Sequence, residues 1–183
     1  MIVFQSDHGH SEEERTFGGG GFAGPYRGAK FSLFEGGVRI PAIISWPGKI
    51  PQNEVRDQLS INVDWFPTLL ELTGISKGNH KIDGKSIVNV IQSSKAPNPH
   101  DTFIWQSGGG NEPQWAVSHG DWKLIHNPVG NHLSEAEKNP KKLYLFNIKN
   151  DPGEMKNEEG KNPAIVSSLY EKYLMWLKEV EKQ

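Results

Sequence analysis

Residues 2–10 read Ile2-Val3-Phe4-Gln5-Ser6-Asp7-His8-Gly9-His10, a short β-branched and aromatic run that breaks at Ser-Asp. The run predicts a strand, and the break puts Asp7 and His8 on the loop that leaves it. Ligands of open α/β sheets gather at the carboxyl ends of strands. A carboxylate beside an imidazole at such a point offers two adjacent metal-ligand side chains, and Gly9 lets the backbone turn without a Cβ. In isolation an Asp-His pair reads more readily as a turn cap next to an exposed histidine. The residues downstream of it decide between the two.

Ser11 to Ala29 holds Gly18-Gly19-Gly20-Gly21 and Gly24-Pro25 with almost no apolar periodicity. Long loops of this kind inside compact domains are usually functional or disordered, and a glycine run lets the backbone approach a ligand closely. Phe31, Leu33 and Phe34 lead into Glu35-Gly36-Gly37, and Val38 to Trp46 reads as a second buried strand closed by Pro47-Gly48. Pro41 within it marks an edge, a bulge or a start delayed to Ala42. Asp64 is placed to cap a short helix running through Leu72, with Pro67 in its first turn, Gly74 as its stop and Trp65, Leu69 and Leu72 on its buried face. Ile87 to Ile91 reads as another short helix. The polar, Pro-rich stretch Ser93 to Asp101 suggests a division into residues 1–98 and 99–183.

Beyond that stretch, Phe103-Ile104-Trp105, Trp115-Ala116-Val117, Trp122-Lys123-Leu124-Ile125 and Leu143-Tyr144-Leu145-Phe146 predict a small antiparallel sheet. Asn162 and Pro163 open a final helix with apolar residues at Ile165, Val166, Leu169, Tyr173, Trp176, Leu177 and Val180, a face expected to pack across that sheet.

Charge and composition narrow the function classes. A net charge of −2 with no block of like charge gives no electrostatic reason to expect nucleic acid or a membrane surface as partner. No segment approaches the roughly 18 to 20 apolar residues of a membrane span, and Met1 to Gln5 lacks the features of a signal peptide. The absence of cysteine excludes disulfides, thiolate-bound zinc and any nucleophile derived from cysteine. A core-type strand that starts at the second residue, with nothing before it to pair with, reads as the beginning of a fragment.

Taken in order, Ser6-Asp7-His8-Gly9, Pro25-Tyr26-Arg27-Gly28-Ala29-Lys30, Glu35-Gly36-Gly37-Val38-Arg39-Ile40-Pro41, Trp46-Pro47-Gly48 and Asp64-Trp65-Phe66-Pro67-Thr68-Leu69-Leu70 resemble the C-terminal half of a type I, arylsulfatase-like sulfatase of the alkaline phosphatase superfamily. Gly120-Asp121-Trp122-Lys123-Leu124, Leu143 to Asn147 and Asp151-Pro152-Gly153-Glu154 are similar to the C-terminal subdomain of that family. The resemblance implies an α/β fold: a partial alkaline-phosphatase-like sheet in 1–98, then a small antiparallel sheet with a packed terminal helix in 99–183. It also implies hydrolysis of sulfate esters, with sulfated carbohydrates the expected substrates, in a family whose members are commonly exported to the periplasm or secreted.

By the same resemblance Asp7 and His8 hold a Ca2+ ion and Lys30 meets the sulfate. Imidazole suits zinc, manganese or iron better than calcium, so another divalent metal stays open. A mobile point charge such as Lys30 suits a non-planar oxyanion held beside a metal. Glu35 and Arg39 read as structural, paired with each other or with nearby backbone. His10 is a weaker candidate for the substrate or for the surroundings of the metal. His119, with Trp105 and Trp115, is a weaker one for a sugar subsite.

The formylglycine nucleophile of the family arises in a Cys/Ser-x-Pro-x-Arg motif, which these residues do not contain. The expectation is a fragment that is inactive alone, binds calcium weakly and is poorly soluble. Two other readings remain: a phosphodiesterase or phosphonate hydrolase of the same superfamily, and a non-catalytic module that binds sulfated glycans.

Overall fold

A computed structural model describes residues 1–14, 17–108, 112–130, 133, 138 and 143–182. Residues 15 and 16 of the glycine-containing loop lie outside the described residues. Along the chain the elements are β1 (Ile2–Gln5), α1 (Glu35–Val38), β2 (Ala42–Ser45), α2 (Trp65–Thr73), α3 (Val88–Gln92), β3 (Thr102–Ser107), β4 (Gln114–His119), β5 (Trp122–His126), β6 (Leu143–Asn147) and α4 (Pro163–Val180). They form two compact units: Met1–Phe4 with Ile43–Asp101, and Gln5–Ala42 with Thr102–Gln183. No helix among the described residues is long and apolar enough to cross a membrane.

The first unit contains most of the two-stranded sheet β1-β2. Its apolar side chains Ile2, Phe4 and Ile43 are exposed, because no described segment covers them. The second strand is shorter than its apolar run predicts. Pro41 has no N–H to give a ladder, so pairing begins at Ala42, and the start of the run is taken by the helical turn α1. α2 and α3 enclose a small core of Ile50, Ile87, Val90 and Ile91, with Trp65 and Leu72 against it.

Asp64 is not the helix cap that its position suggests. It is fully buried; its carboxylate accepts hydrogen bonds from the N–H groups of Ile61 (2.9 Å) and Lys85 (2.8 Å) and from His100 Nε2 (2.9 Å). Thr68 Oγ1 in turn accepts from Ile87 N–H at 3.0 Å. Two buried polar side chains thus tie the 85–87 segment to α2, satisfying backbone groups that burial would otherwise penalise.

The second unit is built on the antiparallel sheet β3-β4-β5-β6. Register sets Ala116, Ile125 and Tyr144 in one row and Val117, Leu124 and Leu145 in the next, so successive rows face opposite sides. Leu33 and Phe34 pack on the first side. On the other, α4 lays Ile165, Val166, Leu169, Tyr173, Trp176 and Leu177 against Trp115, Val117, Leu124 and Leu145. Both faces are covered, which is why β4 is apolar without alternation. Pro163 starts α4, where its missing N–H costs nothing.

One charged cluster lies inside this unit. Lys123 belongs to the same row as Phe146 and is fully buried. Its ammonium donates to Glu35 Oε1 at 2.8 Å and lies 3.2 Å from Glu154 Oε1, while Glu154 Oε2 accepts from the N–H of Glu35 at 2.6 Å. Burial pushes Glu35 upward, but Lys123 and Arg39 outweigh it and leave its carboxyl below the usual carboxylate range. For Glu154 burial wins over the attraction of Lys123, and its carboxyl is held above that range. The pair shares one ammonium, and the second carboxyl keeps its proton longer.

Two outcomes are expected. Leu169→Ala, which empties a site 2% exposed beneath α4, should cost about 2–5 kcal/mol in urea unfolding, against less than about 0.5 kcal/mol for the exposed Met175→Ala. Because the carboxyl of Glu154 is raised in the folded state, its contribution is complete below the ordinary carboxylate pKa and is lost as pH climbs through the raised value. Glu35, being lowered, contributes above the ordinary value and loses that contribution on acidification. Glu154→Gln should therefore flatten the decline of the urea midpoint with rising pH. A variant midpoint that declines as steeply as that of the parent would rule out a proton on Glu154.

Candidate functional site

Asp7 and His8 come directly after β1 and belong to the second unit. His8 Nε2 lies 3.0 Å from Asp7 Oδ2, with Asp7 84% and His8 35% exposed at the side chain. His8 Nδ1 is 2.6 Å from the carbonyl oxygen of Gly9. A carbonyl only accepts, so Nδ1 carries the proton and donates it there. Nε2 faces a carboxylate oxygen at hydrogen-bond distance, and either a proton or a metal ion between the two would satisfy both.

Two donors in neighbouring positions on one divalent cation, each about 2.1–2.4 Å from it, stand roughly 3 Å apart. The pair therefore fits a shared cation, and the Nδ1 contact is the kind of outer bond that orients a ligating histidine. Two groups would be only part of a metal sphere. Among the described residues no cluster of three or more His, Asp and Glu could hold an ion.

Close backbone packing holds this loop. Gly9 donates to the carbonyl of Gly37 at 2.9 Å, and a Cβ on Gly9 would come within 2.0 Å of the Gly36 oxygen. The residue is glycine for close approach, and its φ is not positive. Gly36 in turn donates to the carbonyl of Arg27 at 2.6 Å, and a Cβ there would fall 2.3 Å from the Gly28 oxygen.

Lys30 is fastened at the same place. Its N–H donates to the carbonyl of His10 at 2.8 Å, which joins the two loops that carry the candidates. Its ammonium is 3.5 Å from Glu13 Oε2, half-buried, and 5.0 Å from the ring centre of Phe31. His10 Nε2 lies 3.6 Å from Glu12 Oε1, its Nδ1 is buried without a hydrogen-bond partner, and Gly21 of the glycine run rests on its Cβ.

The C-terminal candidates do not gather. His119 ends β4 and its Nδ1 is 2.8 Å from Thr102 Oγ1. Trp105 is opposite Ala116, in the row facing Phe34, whereas Trp115 and His119 belong to rows on the α4 side. Trp115 is buried and stacked between His126 at 5.2 Å and Tyr173 at 4.2 Å. These three side chains do not share one subsite. Glu35 does meet Arg39, at 3.5 Å, but its closer partner is Lys123, to which the motif reading assigns no role. Alternation in β5 is the available signal: Lys123 falls two residues before Ile125, on an inward row.

Residues 28–180 match the family described as N-sulphoglucosamine sulphohydrolase, C-terminal. A sulfatase of Formosa agariphila is 30% identical over 90% of this chain and 29% of its own length; human steryl-sulfatase is 31% identical over 72% of this chain and 25% of its own. Among solved structures, Ps i-CgsB in complex with k-i-k-neocarrahexaose superposes with a TM-score of 0.74 at 25% identity, over 96% of this chain and 36% of that one. The chain thus spans less than a third of the length of these two curated relatives. It belongs to the sulfatase family and corresponds to the C-terminal portion of its members, with their alkaline-phosphatase-like fold.

Proposed function

We propose that this chain supplies the anion-gripping side of a sulfatase that hydrolyses sulfate esters of carbohydrates. The observation that carries the reading is the Asp7–His8 pair, a carboxylate oxygen and an imidazole nitrogen 3.0 Å apart on the loop after β1. A divalent cation bound there would supply Lewis-acid stabilisation to a sulfate oxygen. Calcium is the family expectation, and the nitrogen donor admits a softer metal.

Lys30 provides the fixed ammonium. An incoming sulfate takes the place of Glu13 on it, exchanging one anion for another in a half-buried position. His10, with its buried and unpartnered Nδ1, is the further group we assign to the substrate side. His119 enters only as a rim residue of the sheet. The carbohydrate reading is supported by the family description and by the oligosaccharide in the Ps i-CgsB complex.

None of the 183 residues is a cysteine, and none of the serines begins a Ser-x-Pro-x-Arg motif. On this reading the formylglycine nucleophile is supplied by another part of the sulfatase, and hydrolysis is proposed for the complete enzyme. On this reading residues 1–98 close its α/β catalytic domain, and 99–183 form the antiparallel subdomain against which the segment 5–42 folds.

In a sulfatase containing this chain, Asp7→Ala and His8→Ala should each weaken divalent-cation binding by more than the about 10–100-fold typical of losing an outer partner of a ligand, measured by calorimetric titration. Lys30→Ala should retain the cation and lose about 100–1,000-fold in kcat/KM toward a sulfated sugar. Undiminished cation affinity in the first two, or full hydrolysis in the third, would overturn the assignment.

A further inference from the structure

We propose that Lys123, Glu35 and Glu154 are positioning residues for the loops that carry Asp7, His8 and Lys30, acting through the glycine contacts of α1. This inference rests on the reading of Asp7, His8 and Lys30 as the anion-gripping site. Each link is a short contact. The ammonium of Lys123 holds the Glu35 side chain at 2.8 Å, and Glu154 Oε2 holds the Glu35 N–H at 2.6 Å. Arg27 Nη1 donates to the carbonyl of Glu154 at 3.0 Å, and the carbonyl of Arg27 accepts from Gly36 at 2.6 Å.

The first residue of α1 is thereby fixed at both side chain and backbone, and its second and third are the surfaces on which the site rests. Gly37 accepts the N–H of Gly9, and Gly36 leaves no room for a Cβ on Gly9. A Cβ on Gly37 would in turn come within 2.5 Å of the Ala29 oxygen, so the segment before Lys30 is seated on the same turn. A displacement of Glu35 is transmitted to Asp7–His8 and to Lys30 through backbone alone.

Stability does not explain why charges occupy this place. Replacing a buried ion pair by apolar groups of similar volume is often neutral or stabilising, whereas hydrogen bonds to charged groups specify geometry. A site whose donors must stay within about 0.5 Å of a productive arrangement gains from such a pin.

The test uses the 183-residue chain and the charge-balanced variant Glu35→Gln/Lys123→Met, with exchange of single amides monitored by NMR. In the variant, protection of the Gly9 and Lys30 amides should fall about tenfold or more while the Val117 and Leu124 amides keep theirs. Wild-type protection at Gly9 and Lys30 would overturn the proposal. Should the double variant lose protection throughout the sheet, Glu154→Leu replaces it: removal of the acceptor for Glu35 N–H should loosen Gly9 and Lys30, and Glu154→Gln should restore them. Unchanged Gly9 and Lys30 protection in Glu154→Leu overturns the proposal equally.

Mn2+ broadening of the His8 ring protons gives the second readout, expected to require several-fold more metal in the double variant. A merely structural cluster would leave that titration unmoved once folding is intact. If Mn2+ fails to broaden His8 in the parent chain while the two amides respond as stated, the metal assignment falls and the positioning role stands.

Discussion

An ammonium taken out of water needs near-complete compensation, and Lys123 obtains it from two carboxyl groups separated from it by long stretches of chain. The Glu35 contact closes 88 residues and the Glu154–Glu35 contact 119. Removing one partner of such a buried pair typically costs about 3–5 kcal/mol, since it strands the other charge. The arrangement is therefore satisfied only when β5, the segment after β6 and the turn before β2 meet in one register. Apolar packing on either side of the sheet tolerates small slides; this contact does not.

The same contact explains how a loop site and an antiparallel sheet come to depend on each other. Asp7 and His8 sit on a loop with little apolar content, which cannot define its own position by burial, whereas Lys30 lies between Ala29 and the buried Leu33 and Phe34. Both segments are placed by backbone approach to α1, and α1 is placed by the sheet. Glycine is required at the points of approach because carbonyl oxygens occupy the volume of a Cβ, 2.0 Å away at Gly9 and 2.3 Å at Gly36.

Elements with a local or periodic cause were legible from the residues alone. The four strands of the antiparallel sheet and α4 occur where their apolar patterns and the Pro163 start place them. The Asp7–His8 contact joins neighbours in the chain, so adjacency sufficed to find it. Polar hubs were not legible. Asp64 carries the local signature of a helix cap, but its partners at Lys85 and His100 are brought to it by folding. Val38 has the composition of a strand and is helical because its turn is held by Glu35 and the glycines behind it. The grouping of Trp105 with Trp115 and His119 failed for a simpler reason: the odd separation of facing rows sends them to opposite sides of the sheet.

Burial divides the labour between two lysines that composition cannot tell apart. Lys123 has no exposed side-chain surface and its carboxyl partners are almost as enclosed, so no solute can exchange with them. Lys30 keeps about a fifth of its side chain exposed, and Glu13 about a quarter, 3.5 Å away. A partly solvated pair of this kind is worth on the order of 1 kcal/mol or less, which makes Glu13 a partner that a better anion can replace. The ammonium is thus neither bare nor committed. A single charge type serves as a permanent pin where water is excluded, and as one half of a replaceable ion pair where water still reaches it.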